Sequence, residues 1–261
     1  MKKSIALVAL AFGVTNAFAQ DLTSKKGEAF LPAEGDIAIG FSALPFIGTL
    51  GNLMAPNPNT TVTGTGGATN YIMGKYFTDE KTAFRGVLGL NFGTTKITNL
   101  VPVSGATVTP APTVEDVVKV GSRSITLGAG YEKRRGSTRL QGYYGGMLMI
   151  NLGGGKTTNT YGNAISATNP VSRATEVKAG STFGLGINGF VGAEYFILPK
   201  ISIGAEYWWG LGFTSTGKGE TTTESWDGTA IKSATVETGK SSTFGINGKY
   251  GSGSIFLNLH F

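Results

Sequence analysis

Ile201-Ser202-Ile203-Gly204-Ala205-Glu206-Tyr207-Trp208-Trp209-Gly210-Leu211-Gly212-Phe213 is the stretch on which the fold turns. Ile201, Ile203, Ala205, Tyr207, Trp209, Leu211 and Phe213 occupy alternate positions, with Ser202, Gly204, Glu206, Trp208, Gly210 and Gly212 between them. A period of two places successive side chains on opposite faces of a strand, so one face is apolar from end to end. The preceding stretch repeats the pattern: Phe183, Leu185, Ile187, Val191, Ala193, Tyr195 and Ile197 alternate with Thr182, Gly184, Gly186, Asn188, Phe190 and Glu194. Leu198-Pro199-Lys200 joins the two as a tight hairpin.

Six further segments carry the alternation: roughly 35–46, 70–77, 82–94, 122–134, 139–152 and 241–261. The weakest is 70–77, where Met73 shares a face with Lys75. Eight strands result, and their connections alternate in length. Short turns fall at Thr78 to Lys81, Arg135 to Thr138 and Pro199-Lys200, and long connections rich in Gly, Thr, Ser, Asn and Pro at about 48–68, 97–121, 153–179 and 216–240. Connections of that length count against an ordinary compact domain, whereas short turns at one end and long loops at the other suit a membrane barrel.

Which face points where follows from volume. Trp209, Tyr207, Leu211 and Phe213, repeated around a ring, would overfill an eight-stranded interior. The face of Gly, Ser, Thr, Asn and a few charges fits that narrow space. The expectation is therefore an all-β, transmembrane, antiparallel up-and-down barrel of about eight strands, with short periplasmic turns and four long extracellular loops.

Composition agrees. The 261 residues include 41 Gly, no Cys and only 15% charged side chains, an unusual balance for a soluble globule. Without Cys there is neither a disulfide nor an N-terminal lipidation site. The N-terminus reads Lys2-Lys3, an apolar run from Ile5 to Val14, then Ala17-Phe18-Ala19. That is a secretory signal peptide, too short to span a bilayer as a helix. The expected organisation is residues 1–19 as a cleaved signal, 20–34 as a short periplasmic lead, and 35–261 as the barrel. Loss of Lys2 and Lys3 lowers the formal charge from +6 to +4, an excess spread along the chain that reads as ordinary solvated surface.

The chain ends Ile255-Phe256-Leu257-Asn258-Leu259-His260-Phe261, an alternating strand closed by an aromatic residue. Here it resembles the small eight-stranded outer-membrane barrels of Gram-negative bacteria, the OmpA-transmembrane-domain, OmpX and OmpW type. The resemblance implies that Phe261 is part of the signal read by the barrel-insertion machinery, and that the protein sits in the cell outer membrane. Partners implied are outer-membrane lipid and lipopolysaccharide, that machinery and an envelope protein, with no nucleic acid. One departure stands out. Phe244, Ile246 and Tyr250 lie on even positions, but after Gly251-Ser252-Gly253 the apolar face moves to odd ones. A one-residue slip turns every side chain over, so a β-bulge or glycine kink is expected near Gly251 to Gly253.

The inner face would carry Asp36, Lys75, Arg85, Glu132, Arg134, Glu194 and Glu206. Buried charges must be paired, which predicts a lumenal network with Lys75 and Arg85 set against Glu132, Glu194 and Glu206. It would serve as a structural plug or, as the functional alternative, a gate or proton-linked path. Tyr71, Tyr76, Phe77, Phe84, Tyr131, Tyr195 and Phe261 fall near strand ends, where aromatic girdles lie.

Enzymatic motifs do not hold. Gly184-Leu185-Gly186-Ile187-Asn188-Gly189 lies inside a strand, not before a helix, and Gly153-Gly154-Gly155-Lys156-Thr157 lacks the first glycine of a phosphate loop, which would fall at Ile150. The one histidine, His260, reads as a side chain near the lower rim, without an evident nucleophile and acid around it. Glu115-Asp116 has no calcium-loop spacing. No catalytic residue, cofactor or metal is expected. Three roles remain: a structural or interaction barrel with a plugged lumen, a narrow OmpW-like channel for small or apolar molecules, and an accessory subunit of an envelope or secretion assembly.

Overall fold

The computed structural model describes residues 22–43, 71–246 and 253–261, all of whose regular elements are strands. In chain order these are β1 (Ile37–Ser42), β2 (Tyr71–Asp79), β3 (Thr82–Pro102), β4 (Thr113–Arg135), β5 (Leu140–Thr160), β6 (Arg173–Lys178), β7 (Thr182–Leu198), β8 (Ile201–Thr216), β9 (Glu220–Trp226), β10 (Ile231–Glu237), β11 (Ser241–Ile246) and β12 (Gly253–His260). The signal peptide and the connection at 48–68 lie outside the described residues.

Eight of these strands close a ring in the order β1, β2, β3, β4, β5, β7, β8, β12 and back to β1, every neighbour antiparallel. Closure leaves no strand edge in the ring, which is what a sheet surrounded by lipid requires. At the short-turn end, the Asp79 carboxylate accepts the Lys81 amide at 2.7 Å. Pro199 and Lys200 alone join β7 to β8, with Lys200 at a φ of 68°. The left-handed backbone costs a non-glycine residue some energy, and the Lys200 carbonyl recovers a hydrogen bond from the His260 amide at 2.8 Å.

The other end differs from the expected loops. β3, β4 and β5 run for 21, 23 and 21 residues, about twice the 9–11 a bilayer crossing takes. Pairing of β3 with β4 is unbroken from Thr82↔Lys133 to Pro102↔Thr113. Long connections at 97–121, 153–179 and 216–240 are thus largely strand. β6 and β9 continue the lines of β7 and β8 and pair with each other, and β10 pairs with β9. Thr, Val and Ile recur in these stretches, and their β-branching suits the pleated sheet. At the hand-over from β7 to β6 the backbones come so close that a Cβ on Gly180 would sit 1.9 Å from the Gly217 carbonyl oxygen.

β11 and β12 both pair with β8, on either side of the residues not described. Ile246 faces Leu211 and Gly253 faces Tyr207, so seven steps along one strand match four along the other. The three extra residues turn the apolar face from even positions to odd. Phe244 and Leu257 consequently lie beside outward residues of β8, Phe213 and Ile203. The expected kink itself falls on residues mostly outside those described.

Side chains alternate around the ring. Leu88, Leu127, Leu185, Phe213 and Phe244 form one outward row, all more than a third exposed. Tyr76, Phe84, Tyr131 and Phe261 also point outward, with Phe84 and Tyr131 in edge contact at 6.0 Å. Phe77 does not join the expected girdle: it shares the inward parity of Met73 and Lys75 and is fully buried. Tyr71 likewise turns inward, packing on the interior apolar cluster.

Candidate functional site: the charged interior

Each strand of the ring offers only its inward positions to a space that eight strands keep narrow. Lys75 on β2 and Arg85 on β3 are direct cross-strand partners. Like charges in that position repel, so carboxylates must come from elsewhere in the ring. Glu132 on β4 supplies the centre, with Lys75 at 3.2 Å, Arg85 at 3.5 Å and Arg134 at 3.1 Å. Glu194 on β7 takes Arg134 at 2.7 Å and Lys75 at 3.4 Å. Glu206 on β8 takes Arg85 at 3.0 Å. The six side chains balance three positive charges against three negative, and each is buried to within 2% of complete.

The structure therefore brings together Lys75, Arg85, Glu132, Arg134, Glu194 and Glu206 and leaves out Asp36. Asp36 sits at the rim, where its carboxylate accepts the Ala33 amide and meets Lys200 at 3.2 Å. Coming from the strand that begins just after the N-terminal lead, it is too close to the turn end to reach the network.

Sequence reasoning missed three members. Asn258 donates to Glu194 at 2.7 Å, Ser202 donates to the same carboxylate, and His260 Nε2 lies 3.2 Å from both Ser202 Oγ and Glu194 Oε1. The signal was present: Phe256, Asn258 and His260 alternate with the outward Ile255, Leu257 and Leu259. His260 is thus inside the barrel, not on its rim. Ser202, His260 and Glu194 do not make a catalytic relay. Such a relay holds the acid on the ring nitrogen away from the serine, and here one nitrogen meets both while Nδ1 has no partner.

Apolar layers seal the network on both sides. Toward the long-strand end lie Met73, Val87, Tyr143, Met147, Met149, Phe190, Trp208 and Phe256. The Arg85 guanidinium stands 4.1 Å from the Phe190 ring centre, and Lys75 Nζ 4.8 Å from that of Tyr143. Cations over ring faces gain from the quadrupole, most where water is excluded. Toward the turn end Ala38, Phe77 and Ala83 pack together, and Phe196 meets the His260 ring at 5.1 Å. The Glu206 carboxylate also accepts the Trp208 indole N–H, tying the ionic layer to the aromatic one.

No protein-family model matches the chain, and no curated protein matches it. Among solved structures it is similar to the outer membrane protein OprG from Pseudomonas aeruginosa. The identity is 13% and the TM-score 0.29, with 89% of this chain and 98% of that chain covered. A likeness at that level carries no functional argument.

Proposed function

We propose that this protein is an outer-membrane barrel with a structural or interaction role, its lumen closed by the charge network. One observation carries the reading: the usual inside and outside are exchanged. Leu90, Phe92, Ile187, Tyr207 and Phe84 are more than half exposed, while six charged side chains are buried in the interior. In water both halves of that arrangement are costly. In a bilayer the outer face is in its own solvent, and the narrow interior must satisfy whatever charge it holds.

Six linked ion pairs, flanked by aromatic and methionine side chains, pack the interior of the described strands, which supports a closed lumen. Function then falls to the parts that project beyond the bilayer, above all the sheet formed by the upper halves of β3, β4 and β5 with β6, β9 and β10.

Planar-bilayer conductance of the refolded mature chain tests this against the narrow-channel alternative. The wild type is expected to be silent, and a Lys75→Ala, Arg85→Ala double variant to leak. Steady conductance by the wild type would overturn the closed-lumen reading and put a transport role in its place.

A further inference from the structure

Where the outer apolar face ends, the outward positions change character. Successive outward residues of β5 are Leu148, Ile150, Leu152, Gly154 and Lys156, and those of β3 are Leu88, Leu90, Phe92, Thr94 and Lys96. In register, Phe92 lies beside Arg123, and Arg123 beside Gly154. One row further, Lys156 lies beside Lys178, and Lys178 beside Glu220. In the row after that, Lys96 stands directly opposite Lys119.

A cavity of about 700 Å³ opens at this boundary, lined by Arg123, Lys156, Lys178 and Lys218 with Glu220 as its one carboxylate and Phe92 at its apolar edge. Gly121 and Gly154, in register with Lys156 and Arg123 on the outward face, put no side chains into it.

The charge count here is uneven. Lys96, Lys119, Arg123, Lys156, Lys178 and Lys218 face Glu176, Glu220 and Glu237, which pair with the last three of these cations. Among the described residues the side chains of Lys96, Lys119 and Arg123 make no ion pair or hydrogen bond. Glu115 and Asp116 lie further out along β4, and Asp116 accepts the Gly162 amide. A lysine directly opposite a lysine across a sheet is destabilising and signals an anion supplied from outside the chain.

We infer that this cavity and the cationic rows around it dock the phosphate groups of an anionic lipid of the outer leaflet, its acyl chains lying on Phe92, Leu90 and Leu152. The continuity of cavity and apolar face selects a lipid over a free anion. Phosphate in the cavity places attached chains on residues already exposed and apolar, and basic side chains at a membrane surface attract anionic lipid. The inference rests on the reading that the apolar face spans a bilayer.

The test uses the refolded mature chain, with Lys119→Gln, Arg123→Gln as the variant; neither residue holds another part of the protein. Lys133→Gln, outward at the turn end, is the control. Flotation with phosphatidylcholine vesicles first checks membrane insertion. Each protein is then mixed in detergent micelles with lipid A or phosphatidylcholine, and retained lipid is counted by native mass spectrometry.

Wild type and control should retain lipid A, the variant at least tenfold less, and none of the three should retain phosphatidylcholine. An excess of inorganic phosphate should displace little of the bound lipid A. Equal retention of lipid A by wild type and variant overturns the inference, as does full displacement by phosphate, which would mark a free-anion site. A wild type that fails to float overturns the membrane reading as well; one that floats yet retains no lipid A overturns this inference alone.

Discussion

The lower barrel and the upper sheet are built from the same residue types, Lys, Arg and Glu on antiparallel strands, yet their ion pairs do different things. In the lower barrel, Lys75, Arg85 and Arg134 meet Glu132, Glu194 and Glu206 with at most 2% of any side chain exposed. In the upper sheet, Lys178 meets Glu220 at 2.9 Å with about half of each side chain in solvent, and Lys218 meets Glu237 with more than half of each exposed. Similar distances conceal unequal consequences. An exposed partner left alone is rehydrated, whereas a buried one has nowhere to go. The lower network therefore makes the interior intolerant of single changes, while the upper sheet is free to vary and to bind.

The largest expected effect is in the network. Glu194→Ala removes the carboxylate that Arg134, Lys75, Asn258 and His260 share, and should cost about 3–5 kcal/mol in urea unfolding of the barrel in lipid. A loss of under about 1 kcal/mol would show that the interior is hydrated and that the contrast with the upper sheet is false. Next comes Leu211→Arg, on the outward face of β8 between Trp209 and Phe213. If that face contacts lipid near the midplane, the change costs about 2–4 kcal/mol; a neutral outcome would place the bilayer elsewhere.

Lys218→Ala, which removes the exposed partner of Glu237 in the upper sheet, should cost about 1 kcal/mol or less, and less still at high salt, in the same unfolding assay. The smallest effect belongs to the β9–β10 turn. There the Asp227 carboxylate accepts the amides of Ala230 and Thr229 and the Thr229 hydroxyl, which lower its pKa from the ordinary 3.8 to about 2. A depressed carboxylate pKa means that the charged form holds the turn. Its contribution is present in full above the ordinary value and is lost as pH falls toward about 2. Protection of the Thr229 and Ala230 amides, relative to their intrinsic exchange at each pH, should fall over that interval while the ring strands stay protected; unchanged protection at pH 2 would show that the cap does not matter.

Much of the ring was legible because a strand between two solvents writes its orientation into alternate residues. Both faces of β7 and β8 follow from Phe183 to Phe213, and the same parity places Lys75, Glu132 and Glu206 inside. The change of parity between β11 and β12 was visible too, from Phe244 and Ile246 on one side and Ile255 and Leu257 on the other. The upper strands were harder. Thr, Lys and Asn at 94–102 and 156–160 carry no regular apolar alternation, since neither face there is buried, and polar extended chain reads as loop.

The sequence by itself determined the ring, its closure by an even number of strands, and the presence of charge on the inner face, because each depends only on which side of one strand a residue occupies. Tertiary structure alone decided the rest. Arg134 completes the network because it shares Glu132 and Glu194 with Lys75, which lies 57 and 119 residues from them in the chain. His260 and Asn258 reach Glu194 because the last strand closes between β1 and β8. Cations that look scattered along the sequence, from Lys96 to Lys218, gather beside one cavity because register brings β3, β4, β5, β6 and the start of β9 into adjacent rows. The physical reason is the same in each case: parity is a local property of the chain, and proximity across the sheet is a property of register and closure.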